Sequence, residues 1–122
     1  MSYTVLNSAM SSTLLSDPEV AGLFSADADL VAMLDFEAAL AEAEAEAGVF
    51  SSRLAQQIAA ACRGFRPDMV RLDAGISRDG MAVPDLVAQL REAIGTEASK
   101  YLHFGATSQD VIDTSLTSRL QR

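Results

Sequence analysis

The stretch from Leu30 to Ala47 constrains the fold of this chain more than any other part of its sequence. At about 100° per residue, Met33, Phe36, Leu40, Ala43 and Ala47 fall on one stripe and Leu30, Leu34, Ala38, Ala41 and Ala45 on another, with Glu37 and Glu44 forming a ridge between them. A surface helix needs only one apolar stripe, so two predict a helix packed on both sides, with the alanines allowing close approach. Alanine is also tolerated on exposed faces, and the argument therefore rests on Met33, Phe36 and Leu40 set against Leu30 and Leu34. Ser25 with Asp27 and Asp29 marks the start and Gly48 the end, which gives a helix of roughly 22 residues and about 33 Å.

The rest of the chain repeats helical spacing with no sustained alternation, so an all-α domain is expected. Asp17 and Pro18 read as N-cap and first residue of a short helix to about Phe24. Ser51 caps a helix to about Cys62, and Gly64 and Pro67 separate it from a segment running to about Ser77. After a loop through Gly80, Pro84 starts a helix carrying Leu86, Val87, Leu90 and Ile94 and ended by Gly95, and a short helical stretch leads to Tyr101. A last helix begins near Ser108 with Val111, Ile112, Leu116 and Leu120 as its apolar side. No Gly, Asn or Pro closes it, so the chain reads as one helical domain, 1–122, whose final helix is cut short.

Charge excludes some roles. The formal net charge is −8, and the excess of acid lies in Met1–Ser52, which contains no Lys or Arg. Binding nucleic acid needs clustered basic residues, and none are visible. No apolar run approaches membrane-spanning length and no basic residue precedes an apolar stretch at the N-terminus, so neither a membrane partner nor a secretory leader is expected, and a cytoplasmic protein is the simplest reading. Cys62, in the apolar run IAAAC, reads as a small buried core residue rather than a nucleophile. The sole Cys and sole His form no ligand cluster, so no metal is expected.

The chemistry concentrates in Leu102–Leu116, LHFGATSQDVIDTSL. Thr107 can act as N-cap, with Asp110 closing a capping box. The first turn of the helix then presents unpaired N–H groups and about half a positive charge, which attract a carboxylate or phosphate. The hydroxyls of Thr107 and Ser108 add donors there. Gly105 allows a sharp turn and close approach of a ligand, and His103 lies just before it. On local chemistry alone, HFGATSQD is equally a well-capped helix start with a histidine beside it. Lys100, His103 and the helix terminus would supply only part of a pocket for a polycarboxylate, so further cations must come from elsewhere.

These residues resemble the first signature region of the fumarase, aspartase and adenylosuccinate lyase superfamily, most closely its 3-carboxy-cis,cis-muconate cycloisomerase branch, which serves protocatechuate breakdown. LDFEAALAEAEAEAGVF, Leu34 to Phe50, is similar to the long first helix of that family, and MAVPDLVAQL, Met81 to Leu90, to its next motif segment. The resemblance covers the chain from about Leu23 onward, as the N-terminal part of a larger protein. Adenylosuccinate lyases usually carry a catalytic histidine in the segment that here reads SRDGMAVPDLV, Ser77 to Val87, and this chain has none there. Fumarases and aspartases differ in the lead-in to HFGATSQD.

The resemblance implies a cofactor-free enzyme in which a substrate carboxylate adds across a double bond to close a lactone. It implies substrate contact for His103, Thr107, Ser108 and, more weakly, Gln109, while Asp110, which would repel an anion, is better placed as the structural cap. His103 is the single candidate in this segment for moving a proton. The family's proton-transfer residues, a further histidine and a serine on a mobile glycine-rich loop, lie later in its sequences, so no catalytic residue is expected in this segment. Sites in the family are assembled from three subunits of a homotetramer, so the segment alone is expected to be inactive. Two alternatives stand beside this reading: another lyase of the superfamily, such as adenylosuccinate lyase, and a helical interaction module without catalysis.

Overall fold

The computed structural model describes residues 9–95 and 97–122, and among them every regular element is helical. The absence of a leader, expected from the sequence, concerns residues 1–8 and lies outside the described residues. The helices are α1 (Ala9–Leu15), α2 (Pro18–Leu23), α3 (Ala26–Glu46), α4 (Ser52–Cys62), α5 (Met69–Asp79), α6 (Val83–Ile94) and α7 (Ser108–Leu120), with a 3-10 turn over Ala98–Lys100. No described helix is long and apolar enough to cross a membrane.

The boundaries follow the capping chemistry. Asp17 Oδ1 accepts from the N–H groups of Glu19 and Val20 at 2.8 and 3.2 Å, and Ser25 Oγ accepts from Ala28 N at 3.2 Å. Asp68, which the sequence reading passed over, caps α5 by accepting from Val70 N and Arg71 N. Ser51 holds the N-cap backbone position of α4, but its side chain makes no capping hydrogen bond, so only the position expected of it is correct.

Helix α3 is the spine, with its largest interfaces against α4 and α7. Over its first four turns the two apolar stripes merge into one wedge with Glu37 in its middle, where Met33, Leu34, Glu37 and Ala41 are buried, whereas Ala43 and Ala47, expected on the first stripe, are exposed because that stripe runs out past the neighbouring helices. Around the spine, Ile58 of α4, Leu86 and Leu90 of α6, Val111 of α7 and Leu102 in the segment before α7 are almost wholly enclosed. Each such side chain contributes about 1.5–3 kcal/mol through removal from water. Cys62 joins this core, and burial first, then the nearby Glu37 carboxylate, pushes its thiol up to about 12.

The buried stripe of α7 corrects the sequence reading. Leu116 and Leu120 were expected on the inner side, yet they are 42% and 65% exposed. The inner stripe is Val111, Ser115 and Arg119, spaced by one helical turn each. Two polar residues can lie inside because α3 offers them a carboxylate: Asp29 Oδ1 accepts from Ser115 Oγ at 2.6 Å and pairs with Arg119 Nη2 at 2.9 Å.

Candidate functional site

The segment between the 3-10 turn and α7 is held at several points. Leu102 is buried, and its carbonyl accepts from Arg91 Nη2 at 3.1 Å. The Tyr101 ring stacks on Phe50 at 4.7 Å between centroids, and Phe104 meets Tyr101 edge-on at 6.4 Å. The backbone between these anchors is unusual. His103 has φ 58°, the left-handed region that L residues seldom adopt, and Gly105 has φ 71°. At Gly105 a Cβ would meet Glu44 Oε1 at an ordinary 3.7 Å, so the backbone angle, rather than crowding, calls for glycine.

The double left-handed turn folds the His103 ring back onto α3. Its Nδ1 lies 2.6 Å from Oε1 of Glu37, whose side chain is 2% exposed against 15% for the histidine. Glu37 Oε2 and Glu44 Oε2 are buried with no hydrogen-bond partner among the described residues. Burial, reinforced by the Glu37 charge, pushes the Glu44 carboxyl above the usual carboxylate range. Glu37 is the functional neighbour that sequence reasoning missed. A signal was present, because a charged residue between two apolar stripes must be buried once both stripes are.

At the start of α7 the capping box is formed. The Asp110 carboxylate accepts from Thr107 N at 2.7 Å and from Thr107 Oγ1 at 2.9 Å through the same oxygen. Those two hydrogen bonds hold the Asp110 carboxyl below its usual range, and the neighbouring His103 adds to the effect. The Thr107 hydroxyl proton is thereby engaged within the cap. Ser108 is half-buried, while Thr107 and Gln109 are exposed, so this tip lies at the surface. Gln109 Nε2 turns along the helix to donate to Asp113 Oδ1 at 2.6 Å.

Of the residues singled out from the sequence, His103, Thr107 and Asp110 thus form one neighbourhood. The Ser108 hydroxyl and the first-turn N–H groups are its remaining donors. Lys100 is exposed, with no ion pair among the described residues. No group of three or more His, Cys, Asp or Glu among the described residues could hold a metal ion. What the arrangement can do is bind an anion at a helix terminus and present an oriented imidazole beside it.

Helical throughout its described residues, with its histidine tied to α3 near the capped start of α7, the chain matches a helical unit of the lyase type. A family model described as Lyase matches residues 2–121, and the chain belongs to that lyase family. It is 42% identical over 107 residues to 3-carboxy-cis,cis-muconate cycloisomerase of Pseudomonas putida, covering 85% of this chain and 25% of that protein. It is 40% identical over 101 residues to adenylosuccinate lyase of Methanothermobacter thermautotrophicus, covering 80% and 22%. The crystal structure of 3-carboxy-cis,cis-muconate lactonizing enzyme from Pseudomonas putida superimposes with a TM-score of 0.81 at 42% identity, over 87% of this chain and 25% of that one. The chain therefore spans about a quarter of the length of the proteins it matches.

Proposed function

We propose that this chain is the N-terminal segment of a cofactor-free cycloisomerase that lactonises 3-carboxy-cis,cis-muconate. The observation that carries the reading is the absence of histidine from Ser77–Val87 in a chain 42% identical to such an enzyme. The 40% likeness to an adenylosuccinate lyase leaves that activity as the competing one.

In the proposed reaction a carboxylate oxygen of the muconate bonds to one carbon of a double bond, the π bond breaks, and the adjacent carbon takes a proton. The start of α7 binds a second carboxylate through its first-turn N–H groups and Ser108, and stabilises the charge that grows beside it. Thr107 contacts substrate by turning its hydroxyl proton from Asp110 to a substrate oxygen, while Asp110 keeps the turn in shape through the Thr107 N–H. His103 meets a further carboxylate. Gln109 must release Asp113 to take part, so it ranks last among the contacts. The proton donor and the remaining cations come from sequence beyond this segment and from other subunits of a homotetramer, in a cytoplasmic enzyme.

A chimera tests this. The chain replaces the matching quarter of the Pseudomonas putida enzyme, and assembly is checked by size-exclusion chromatography. An assembled chimera should convert 3-carboxymuconate, while the 122 residues alone should not. An assembled chimera that instead cleaves adenylosuccinate, or turns over neither compound, overturns the proposal.

A further inference from the structure

We infer that Glu37 is the positioning residue for His103: its buried carboxylate keeps a hydrogen on Nδ1 and makes Nε2 the nitrogen that meets substrate. The inference rests on the reading of His103 as a substrate contact and names the residue that decides how the ring acts.

The hydrogen-bond chemistry carries the first step. An ionised carboxylate only accepts, so the ring nitrogen 2.6 Å from Glu37 Oε1 must be the one that bears hydrogen. A neutral imidazole then has its lone pair on Nε2, and an imidazolium has a second N–H there. Nε2 has no hydrogen-bond partner among the described residues. With its proton, that nitrogen donates to a substrate carboxylate. Without it, the same nitrogen can only accept from an O–H or N–H group.

Two costly features point to the same ring. The left-handed backbone at His103 is strained for a residue with a Cβ, and it is this turn that swings the side chain onto α3. Glu37 is almost wholly enclosed and leaves Oε2 without a partner, an arrangement that packing alone does not favour. A tie between loop and helix would be made as well by an apolar side chain at position 37. Asp110 feels the charge of the ring and Glu44 that of Glu37, but among the described residues only Glu37 is within hydrogen-bond distance of His103.

The chain has one histidine, so its imidazole nitrogens can be read without assignment by ¹⁵N NMR of the purified 122-residue protein. The pH is raised until the ring has lost its second proton. The wild type should show a pyrrole-type Nδ1 and a pyridine-type Nε2. Glu37→Gln, whose amide oxygen still accepts, should retain that pattern, and Glu37→Leu should revert to the Nε2–H form that free histidine prefers. A pyridine-type Nδ1 in the wild type, or a folded Glu37→Leu that keeps hydrogen on Nδ1, overturns the inference. Should Glu37→Leu not fold, the wild-type chain unfolded in urea supplies the reference ring, and equal tautomer ratios in the folded and unfolded chain overturn it. A chimera without turnover alongside a confirmed Nδ1–H would sink the proposed function and leave the role of Glu37 standing.

Discussion

Arg119 of α7 pairs with Asp29 of α3 at 2.9 Å, and the same guanidinium reaches the carbonyls of Ser115 and Leu23 and lies 5.6 Å from the centre of the Phe24 ring. One side chain therefore fastens the last helix to the first turn of the spine and to the end of α2. Arg119→Ala would remove a nine-tenths buried cation and leave Asp29 and Ser115 to share the gap. Because Asp29 is 37% exposed, the loss is discounted for solvent to about 1–2 kcal/mol. Urea denaturation should show a lowered midpoint at unchanged slope, and Arg119→Lys should recover less than half of it, since an ammonium cannot reproduce the fork or the ring stacking.

Gly75 of α5 faces Asp85 of α6 so closely that a Cβ built on the glycine would stand 2.5 Å from Asp85 Cβ. Asp85 cannot retreat easily, because its Oδ2 accepts from Gln89 Nε2 at 2.7 Å, and Gln89 also bridges the backbone of Asp68. Gly75→Ala should destabilise by about 1–3 kcal/mol despite the better helix propensity of alanine. Gly22, in α2, has nothing within 4 Å of such an atom. Gly22→Ala should therefore stabilise by about 0.5–1 kcal/mol, and the opposite signs in a pair of thermal melts check both claims.

Much of this was legible in the residues. Caps at Asp17 and Ser25, glycine ends and apolar spacing place most helices within a residue or two, because those signals act through nearby backbone groups. The capping box at Thr107 and Asp110 is local in the same way. What could not be read depends on distant partners. Leu116 and Leu120 look inward by periodicity, and nothing near them announces that Asp29 draws Ser115 and Arg119 inside instead. Glu37 meets His103 across 66 residues and only by way of a left-handed turn, which no propensity assigns to histidine.

Cys62 should be chemically silent in the native protein. With its thiol pushed up to about 12 from an ordinary 9.0, and only 3% of its surface exposed, it has roughly a thousandfold less thiolate at pH 8 than a free cysteine. Alkylation by iodoacetamide should run at least about a hundredfold slower than in the urea-unfolded chain. Equal rates in the two states would contradict the packing of α4 described above.

Glu44 should make the fold lose stability with alkalinity. Its carboxyl is raised, by burial first and the Glu37 charge second, so the folded state binds that proton more tightly than the unfolded chain does. The stabilisation is complete below the ordinary value of 4.5 and is lost as pH rises through the higher folded value. Glu44→Gln removes the ionisation and should raise the melting temperature at pH 7–8 relative to the wild type, with the difference shrinking towards pH 4.

The cap of α7 should respond to acid in the reverse direction. Asp110 is lowered by its hydrogen bonds from the Thr107 backbone and hydroxyl, with His103 assisting, so its contribution is present above the ordinary 3.8 and vanishes as pH falls through the lower folded value. Protonation weakens the acceptor that fixes both Thr107 groups, and the first turn of α7 should fray before the core opens. Amide hydrogen exchange at Val111 and Ile112 should therefore quicken below pH 3.8 while exchange at Ile58 and Leu90 stays slow. Thr107→Ala should cost about 1 kcal/mol at pH 7 and flatten this acid response, because the hydroxyl half of the interaction is gone. If the two variants of the same turn, Thr107→Ala and Asp110→Asn, leave exchange in α7 unchanged at every pH, the helix start is held by its packing on α3 rather than by its cap.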